Sequence, residues 1–341
     1  MKQLRSLPGR SSGLSLIELM VSLTIGLILM VAVISAYLGS AGAGRVAEAQ
    51  GRMTEDAQAA LSILAQQIRM SGNNPKQPNR TAAEPRNAVY LAANSFTSTL
   101  ALSYYSVRGC DGKFSDVSTA ATLDALTCAG TTTTLPDSIG VSYEADRFNT
   151  VPTATGGTPT DCLGQSLTAN NATVIISTGP ATTATTSTTY YVADNRFYIT
   201  STAALTPSLY CKGSGGNAQP LVENIEDLQF TYGTSPAGTA TATVAGYLDA
   251  VGVETNATAD SSGATLTGLA NVGAFTASAR RWARVMTVRI CVLVRSEGTV
   301  ASDSASAQYT KCDGTVETNP PDLRLRRAYS TTVVLRNRMY F

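Results

Sequence analysis

Gly13-Leu14-Ser15-Leu16-Ile17-Glu18-Leu19 opens an apolar run that continues without another charge to Leu38. As a helix the run spans roughly 37 Å, enough to cross a bilayer. Lys2, Arg5 and Arg10 precede it with no acid among them. Positive charge on that flank keeps the N-terminus cytoplasmic, so the residues after Leu38 fall on the periplasmic or extracellular side. A secretory signal peptide has a shorter apolar core and a small-residue cut site behind it. This run is too long and has no such stop before Ala36. A plain signal anchor fits the length and the charge but leaves Glu18 unexplained. An acid on a lipid-facing helix costs a few kcal/mol unless it finds a partner, which makes it a functional candidate by default.

Beyond Leu38 the chain reads Gly39-Ser40-Ala41-Gly42-Ala43-Gly44. Each glycine costs about 1 kcal/mol in a helix interior, so this stretch is expected to be softened or locally melted. From Arg45 to Met70 the pattern is amphipathic. Val46, Ala49, Met53, Ala57, Leu61, Leu64 and Ile68 recur at three- and four-residue steps, and Ser71-Gly72-Asn73-Asn74-Pro75 stops the helix. One helix from Leu14 to about Ser71 is expected. Its first half suits lipid and its second half suits the core of a head.

The 341 residues carry a net charge of +1, and only 14% are charged. No field of one sign marks a nucleic-acid binder, and none is expected as a partner. There is no histidine, which removes Ser-His-Asp and Cys-His catalysis and the commonest zinc ligand. No paired-acid motif supports a carboxylate hydrolase. No enzymatic activity, metal or cofactor is expected. Cys110, Cys128, Cys162, Cys211, Cys291 and Cys312 contain no C-x-x-C pair. An even count behind a membrane segment favours disulfides in an oxidising compartment. Six cysteines allow 15 pairings. Sequential pairing (Cys110 with Cys128, Cys162 with Cys211, Cys291 with Cys312) needs the least loop closure.

The residues around Gly13 resemble the prepilin motif of type IV pilins and type II secretion pseudopilins. The resemblance implies that a membrane aspartyl peptidase cuts between Gly13 and Leu14 and methylates the new amine of Leu14. Glu18 then stands at the position of the family's acid, where it would pair with an N-terminal amine and set subunit register. Leu14 departs from the phenylalanine more common there. A glycine before the cut offers no side chain and lets the backbone enter a protease cleft in extended form.

Residues 73–341 read as a β-rich head. Strands are expected at Ala88–Leu91, Leu100–Val107, Val141–Tyr143, Val174–Ser177, Tyr190–Val192, Phe197–Thr200, Val285–Val294 and Tyr329–Leu335. Thr/Ala/Gly/Ser-rich stretches at 131–134, 153–160, 182–189, 233–244 and 255–268 are expected to be surface loops. Leu221 to Phe230 reads as a helical turn entering a strand, and Arg284–Arg295 and Arg326–Arg338 read as strands. In order, these three segments resemble the PilW-type minor pilins, which are similar to the J-type minor pseudopilins. The resemblance covers the first seventy residues or so and, more loosely, the last hundred and twenty; residues 82–219 read as a variable β-rich insertion. Arg280, Arg281 and Arg284 beside Trp282 are expected to be a solvated strand start under a tryptophan cap. Asp111-Gly112 and Asp260-Ser261-Ser262-Gly263 lack the spaced acids of a calcium loop and read as turns.

The fold class implied is α+β: a long N-terminal helix packed on an antiparallel β-rich head. Residues 1–13 would be a cytoplasmic leader, 14–38 the membrane and filament-core helix, 39–72 its amphipathic continuation and 73–341 a periplasmic head. The resemblance implies a minor pilin that starts or caps a filament. Its expected partners are prepilin peptidase, other minor pilins, the major pilin, the inner-membrane assembly machinery and the lipid itself. A pseudopilin of type II secretion, and a tip adhesin or DNA-uptake subunit, are the alternatives.

Overall fold

The computed structural model describes residues 13, 15–73, 105–120, 122–130, 135–179, 182–200, 206–236, 243–256 and 277–338. The expected strand Ala88–Leu91, the stretch 131–134 and the Asp260–Gly263 turn lie outside them.

Helix α1 runs from Leu16 to Met70 without interruption. No proline falls within it, and 55 residues give it a length of roughly 82 Å. The Gly39–Gly44 cluster, expected to be softened, is regular helix. Alanines and long unbranched side chains around it favour the helix enough to carry the glycines. The hydroxyls of Ser22, Thr24 and Ser35 bond back to the carbonyls of Leu19, Val21 and Ala32, so the apolar half leaves these polar groups satisfied. At the far end Gly72 adopts φ 70°, which the turn requires and glycine tolerates. The Asn337 amide donates to the Arg69 carbonyl at 3.0 Å, satisfying one of the acceptors a helix end leaves open.

Twelve strands follow among the described residues. One sheet has the order β1 (Val107–Cys110), β2 (Ser138–Ala145), β4 (Thr182–Thr200), β5 (Ser208–Lys212) and β6 (Gln219–Glu223), with β3 (Asn170–Gly179) paired on β4. The other has the order β12 (Arg324–Val334), β9 (Val285–Thr299), β7 (Ile225–Thr234) and β8 (Gly246–Leu248). A small hairpin joins β10 (Tyr309–Thr310) to β11 (Val316–Glu317). All these pairings are antiparallel. Short helices α2 (Ala250–Thr255) and α3 (Ala277–Trp282) sit between β8 and β9.

Met53, Ala57, Ala60, Leu64, Ala65 and Ile68 form the buried stripe of α1. It packs mainly on β9 and β12. Small alanines alternate with Met53, Leu64 and Ile68, so the helix lies close to the sheet. Val46 and Ala49, at the start of the expected stripe, are only half-buried. Val285, Val288, Ile290, Val292 and Val294 of β9 are fully buried, as befits a central strand with neighbours on both edges.

Three sequence expectations are corrected. Residues 182–189 are not a loop: they form the first half of β4 and pair with β3. Threonine is β-branched and suits an extended chain, so the stretch's polarity was a poor guide. Leu221–Phe230 contains no helical turn. β6 and β7 meet at Asn224, which takes φ 62°, a left-handed value that asparagine adopts more readily than most residues. Trp282 is no cap. It is fully buried, stands edge-on to Tyr232 at 4.8 Å, and donates its indole N–H to Glu254 at 2.7 Å. Arg284 beside it is also buried and donates to the Pro236 carbonyl at 2.8 Å. Gly109 lies against this cluster; any Cβ there would overlap the Tyr232 hydroxyl.

Candidate assembly helix and its processing site

Gly13 is exposed, and Ser15 is extended at φ −65°, ψ 142°, so the chain enters the helix from an open conformation. Leu14, the expected first residue after the cut, lies outside the described residues. The Ser15 carbonyl accepts the first amides of the helix, from Glu18 at 3.0 Å and Leu19 at 3.1 Å. Glu18 therefore sits in the first turn, where the helix dipole favours an acid. No cation pairs with it among the described residues.

Every residue from Leu16 to Leu38 is exposed, including Leu16 at 78% and Ile17 at 70%. In water so large an apolar surface would be untenable for an isolated chain. The helix is long and apolar enough to cross a membrane. Glu18 precedes the first buried contact of the head, Met53, by a helical distance of roughly 50 Å. The arrangement separates two tasks along one rod: an unpartnered acid in an apolar cylinder, and an amphipathic half that carries the head.

The cysteines lie at the opposite end, in the head. The structure joins Cys110 to Cys128, Cys162 to Cys211 and Cys291 to Cys312, with Cα separations of 5.6, 6.6 and 5.8 Å. The first closes the loop between β1 and β2. The second ties the loop after β2 to β5, and the third pins β9 to the β10–β11 hairpin. The two short loops stabilise the fold by about 3 kcal/mol each and the longer Cys162–Cys211 loop by about 4 kcal/mol, through the unfolded state.

Polar groups that the sequence reading did not single out hold the head's sheets together. Arg326 on β12 reaches past β9 to Glu226 on β7, with nitrogen–oxygen distances of 2.5 and 3.1 Å, and also bonds Asp322 at 2.7 Å. Asp137 is buried; its two oxygens accept from Gly112 N at 3.1 Å and Phe230 N at 2.8 Å. Burial pushes its carboxyl up to about 8 against the pull of those two amides, and nearby Asp111 adds to the rise. Asp111, expected as a plain turn residue, is itself buried and accepts from Ala250 N and Val251 N, both at 2.8 Å, which fixes the start of α2. Nothing in the spacing of these residues announces such pairings, since their partners lie up to 140 positions away.

A family model described as the prokaryotic N-terminal methylation motif matches residues 9–34, and one described as type IV pilus-assembly protein W matches residues 189–337. The chain is a type IV minor pilin of the PilW type. The PilW match includes the whole of the β12-β9-β7-β8 sheet, on which α1 packs. The chain matches no curated protein and no solved structure. PilW-type pilins are structural subunits, and the methylation motif implies processing by a prepilin peptidase and assembly with other pilins.

Proposed function

We propose that this PilW-type pilin helps to initiate or cap a type IV pilus, entering it through α1 after cleavage between Gly13 and Leu14. The observation that carries this reading is Glu18, one acid in the first turn of an otherwise apolar and exposed half-helix. Cleavage creates an α-amine at Leu14, one helical turn before Glu18. Methylation keeps that nitrogen positive. In a bundle of such helices, the amine of one subunit and the carboxylate of Glu18 on its own or a neighbouring chain neutralise each other. At about 4 Å and an effective dielectric near 20 the attraction is worth about 4 kcal/mol. An acid with no partner in hydrocarbon is penalised by a similar amount, so the pairing selects one axial register. The rest of the apolar half exchanges lipid for neighbouring helices, and the head, held periplasmic by the anchor, travels with it. The driving force belongs to the assembly machinery, and the chain's own contribution is packing.

Glu18→Ala tests this. The variant is expected to insert in the inner membrane at wild-type level and to be nearly absent from sheared filaments. Wild-type incorporation of the variant would overturn the pairing mechanism.

A further inference from the structure

β12 is an edge strand. Among the described residues it pairs with β9 and with no second strand, and that pairing runs without a register shift from Arg326 to Val334. The Leu335 amide bonds the Met286 carbonyl at 2.8 Å, which fixes the alternation of the ladder. The backbone N–H and C=O groups of Arg327, Tyr329, Thr331 and Val333 therefore turn toward β9, and those of Ala328, Ser330, Thr332 and Val334 turn away from it. Folded proteins blunt such a row of open donors and acceptors with charge, proline, a bulge or a covering element. The stretch Ala328-Tyr329-Ser330-Thr331-Thr332-Val333-Val334 contains no charge and no proline. The strand's register shift lies before it, between Arg324 and Arg326. The β10–β11 hairpin stands at the strand's start, where the Arg326 guanidinium lies 5.4 Å from the centroid of the Tyr309 ring. Beyond that point Ser330, Thr332 and Val334 are exposed.

The rim of this edge is basic. Arg327 and Arg336 stand at the two ends of the uncharged stretch, and Arg289 of β9 lies opposite Thr332. All three are exposed, and no carboxylate pairs with any of them among the described residues. Stacking holds two of them in place: the Arg327 guanidinium lies 5.5 Å from the Tyr329 ring centroid, and that of Arg289 lies 4.2 Å from the Tyr247 ring centroid. A strand with an uncharged middle and carboxylates toward its ends complements such a rim. The edge also lies beside the filament-forming rod. The hydroxyls of Tyr329 and Thr54 are hydrogen-bonded at 3.1 Å, and Asn337, just past β12, donates to the Arg69 carbonyl. β12 and the second half of α1 thus run side by side in the same direction. A subunit whose own helix packs next to α1 brings its head alongside this edge.

We infer that the open edge of β12 receives an extended segment of a different pilin, which continues the β12-β9-β7-β8 sheet across the subunit boundary. Backbone hydrogen bonds to Ala328, Ser330, Thr332 and Val334 hold the segment. Arg289, Arg327 and Arg336 select one whose acids flank an uncharged, strand-forming middle. The inference rests on the filament reading, since a subunit that starts or caps a pilus has other pilins as its neighbours.

The test uses the full-length chain in a strain that assembles filaments, with p-benzoylphenylalanine placed at position 330. After irradiation, cross-linked peptides from membranes and sheared filaments are read by mass spectrometry. An adduct to an extended segment of another pilin, with Asp or Glu toward its ends, is expected. Thr332→Pro removes an outward N–H and leaves the pairing with β9 in place. It should lower the adduct yield about tenfold, whereas Thr332→Ala, which keeps the N–H, should leave the yield unchanged. Should Thr332→Pro unfold the head, Thr332→Lys, which sets a charge on the edge and spares the backbone, takes its place with the same expected fall. An adduct within the chain itself, to a second copy or to a protein that is not a pilin overturns the contact, as does a yield that ignores these changes. A chain that reaches the filament but forms no adduct overturns the contact alone; a chain absent from the filament overturns the filament reading and the contact with it.

Discussion

The Arg326 side chain is 1% exposed, whereas that of Glu226, its partner across β9, is 27% exposed. That asymmetry fixes the outcome of removing either one. Glu226→Leu leaves a buried guanidinium with Asp322 as its remaining carboxylate, at 2.7 Å. Losing one partner of a buried pair costs about 3–5 kcal/mol, and the surviving Asp322 contact puts the expected loss near the lower end, about 3 kcal/mol. Arg326→Met leaves an acid that already touches water and regains hydration, so about 1 kcal/mol is expected. The double variant replaces the pair by apolar volume and should lie close to wild type. Urea unfolding of the full-length chain in detergent, with disulfides intact, measures all three. Trp282, the single tryptophan, is buried in the head core and reports the transition by fluorescence. With a slope near the upper end for urea, about 3 kcal/mol/M, Glu226→Leu should move the midpoint down by about 1 M. The reasoning is refuted if Arg326→Met is the more damaging single change, or if the double variant unfolds as early as Glu226→Leu.

Two further outcomes follow from the head. Leu64→Ala removes a fully buried side chain between α1 and the sheet, and a loss of about 2–5 kcal/mol is expected in the same urea assay, with helix content by circular dichroism largely kept in the apolar half. Asp137 sets a pH dependence. Its folded-state value of about 8 lies above the ordinary 3.8, so the native state binds the proton more tightly than the unfolded chain. The stability it contributes is full below about pH 4, declines as pH rises, and is gone above about pH 8. Asp137→Asn should flatten that slope in urea midpoints taken from pH 4 to 9, at the cost of one amide bond; an unchanged slope would show that the carboxyl is ionised throughout.

The N-terminal half of the fold was legible because its signals are local. Charge before Gly13, the acid at Glu18, the uninterrupted apolar run and the heptad-like stripe ending at Ile68 each need only neighbouring residues to be read. The strands at Val141–Tyr143, Val285–Val294 and Tyr329–Leu335 were legible for the same reason, as runs of β-branched and aromatic residues. Composition is a poor proxy for geometry elsewhere. Residues 182–189 have a loop's polarity but threonine's preference for an extended chain, and they form a strand. The glycines at 39–44 stay helical because helix-forming residues flank them on both sides. Trp282 has arginine neighbours in sequence, but its burial is decided by Tyr232 and Gly109, far away in sequence. The Arg326–Glu226 pair and the two buried aspartates depend on strand order and register, which no local pattern encodes.

The central claim is that α1 begins life behind a leader and works without it. The intact N-terminal mass of the chain, purified from membranes of strains with and without the prepilin peptidase, tests this most directly. A chain that starts at methylated Leu14 only where the peptidase is present is the expected result. A chain that starts at Met1 in both strains would contradict it and leave Glu18 as an acid in a plain membrane anchor.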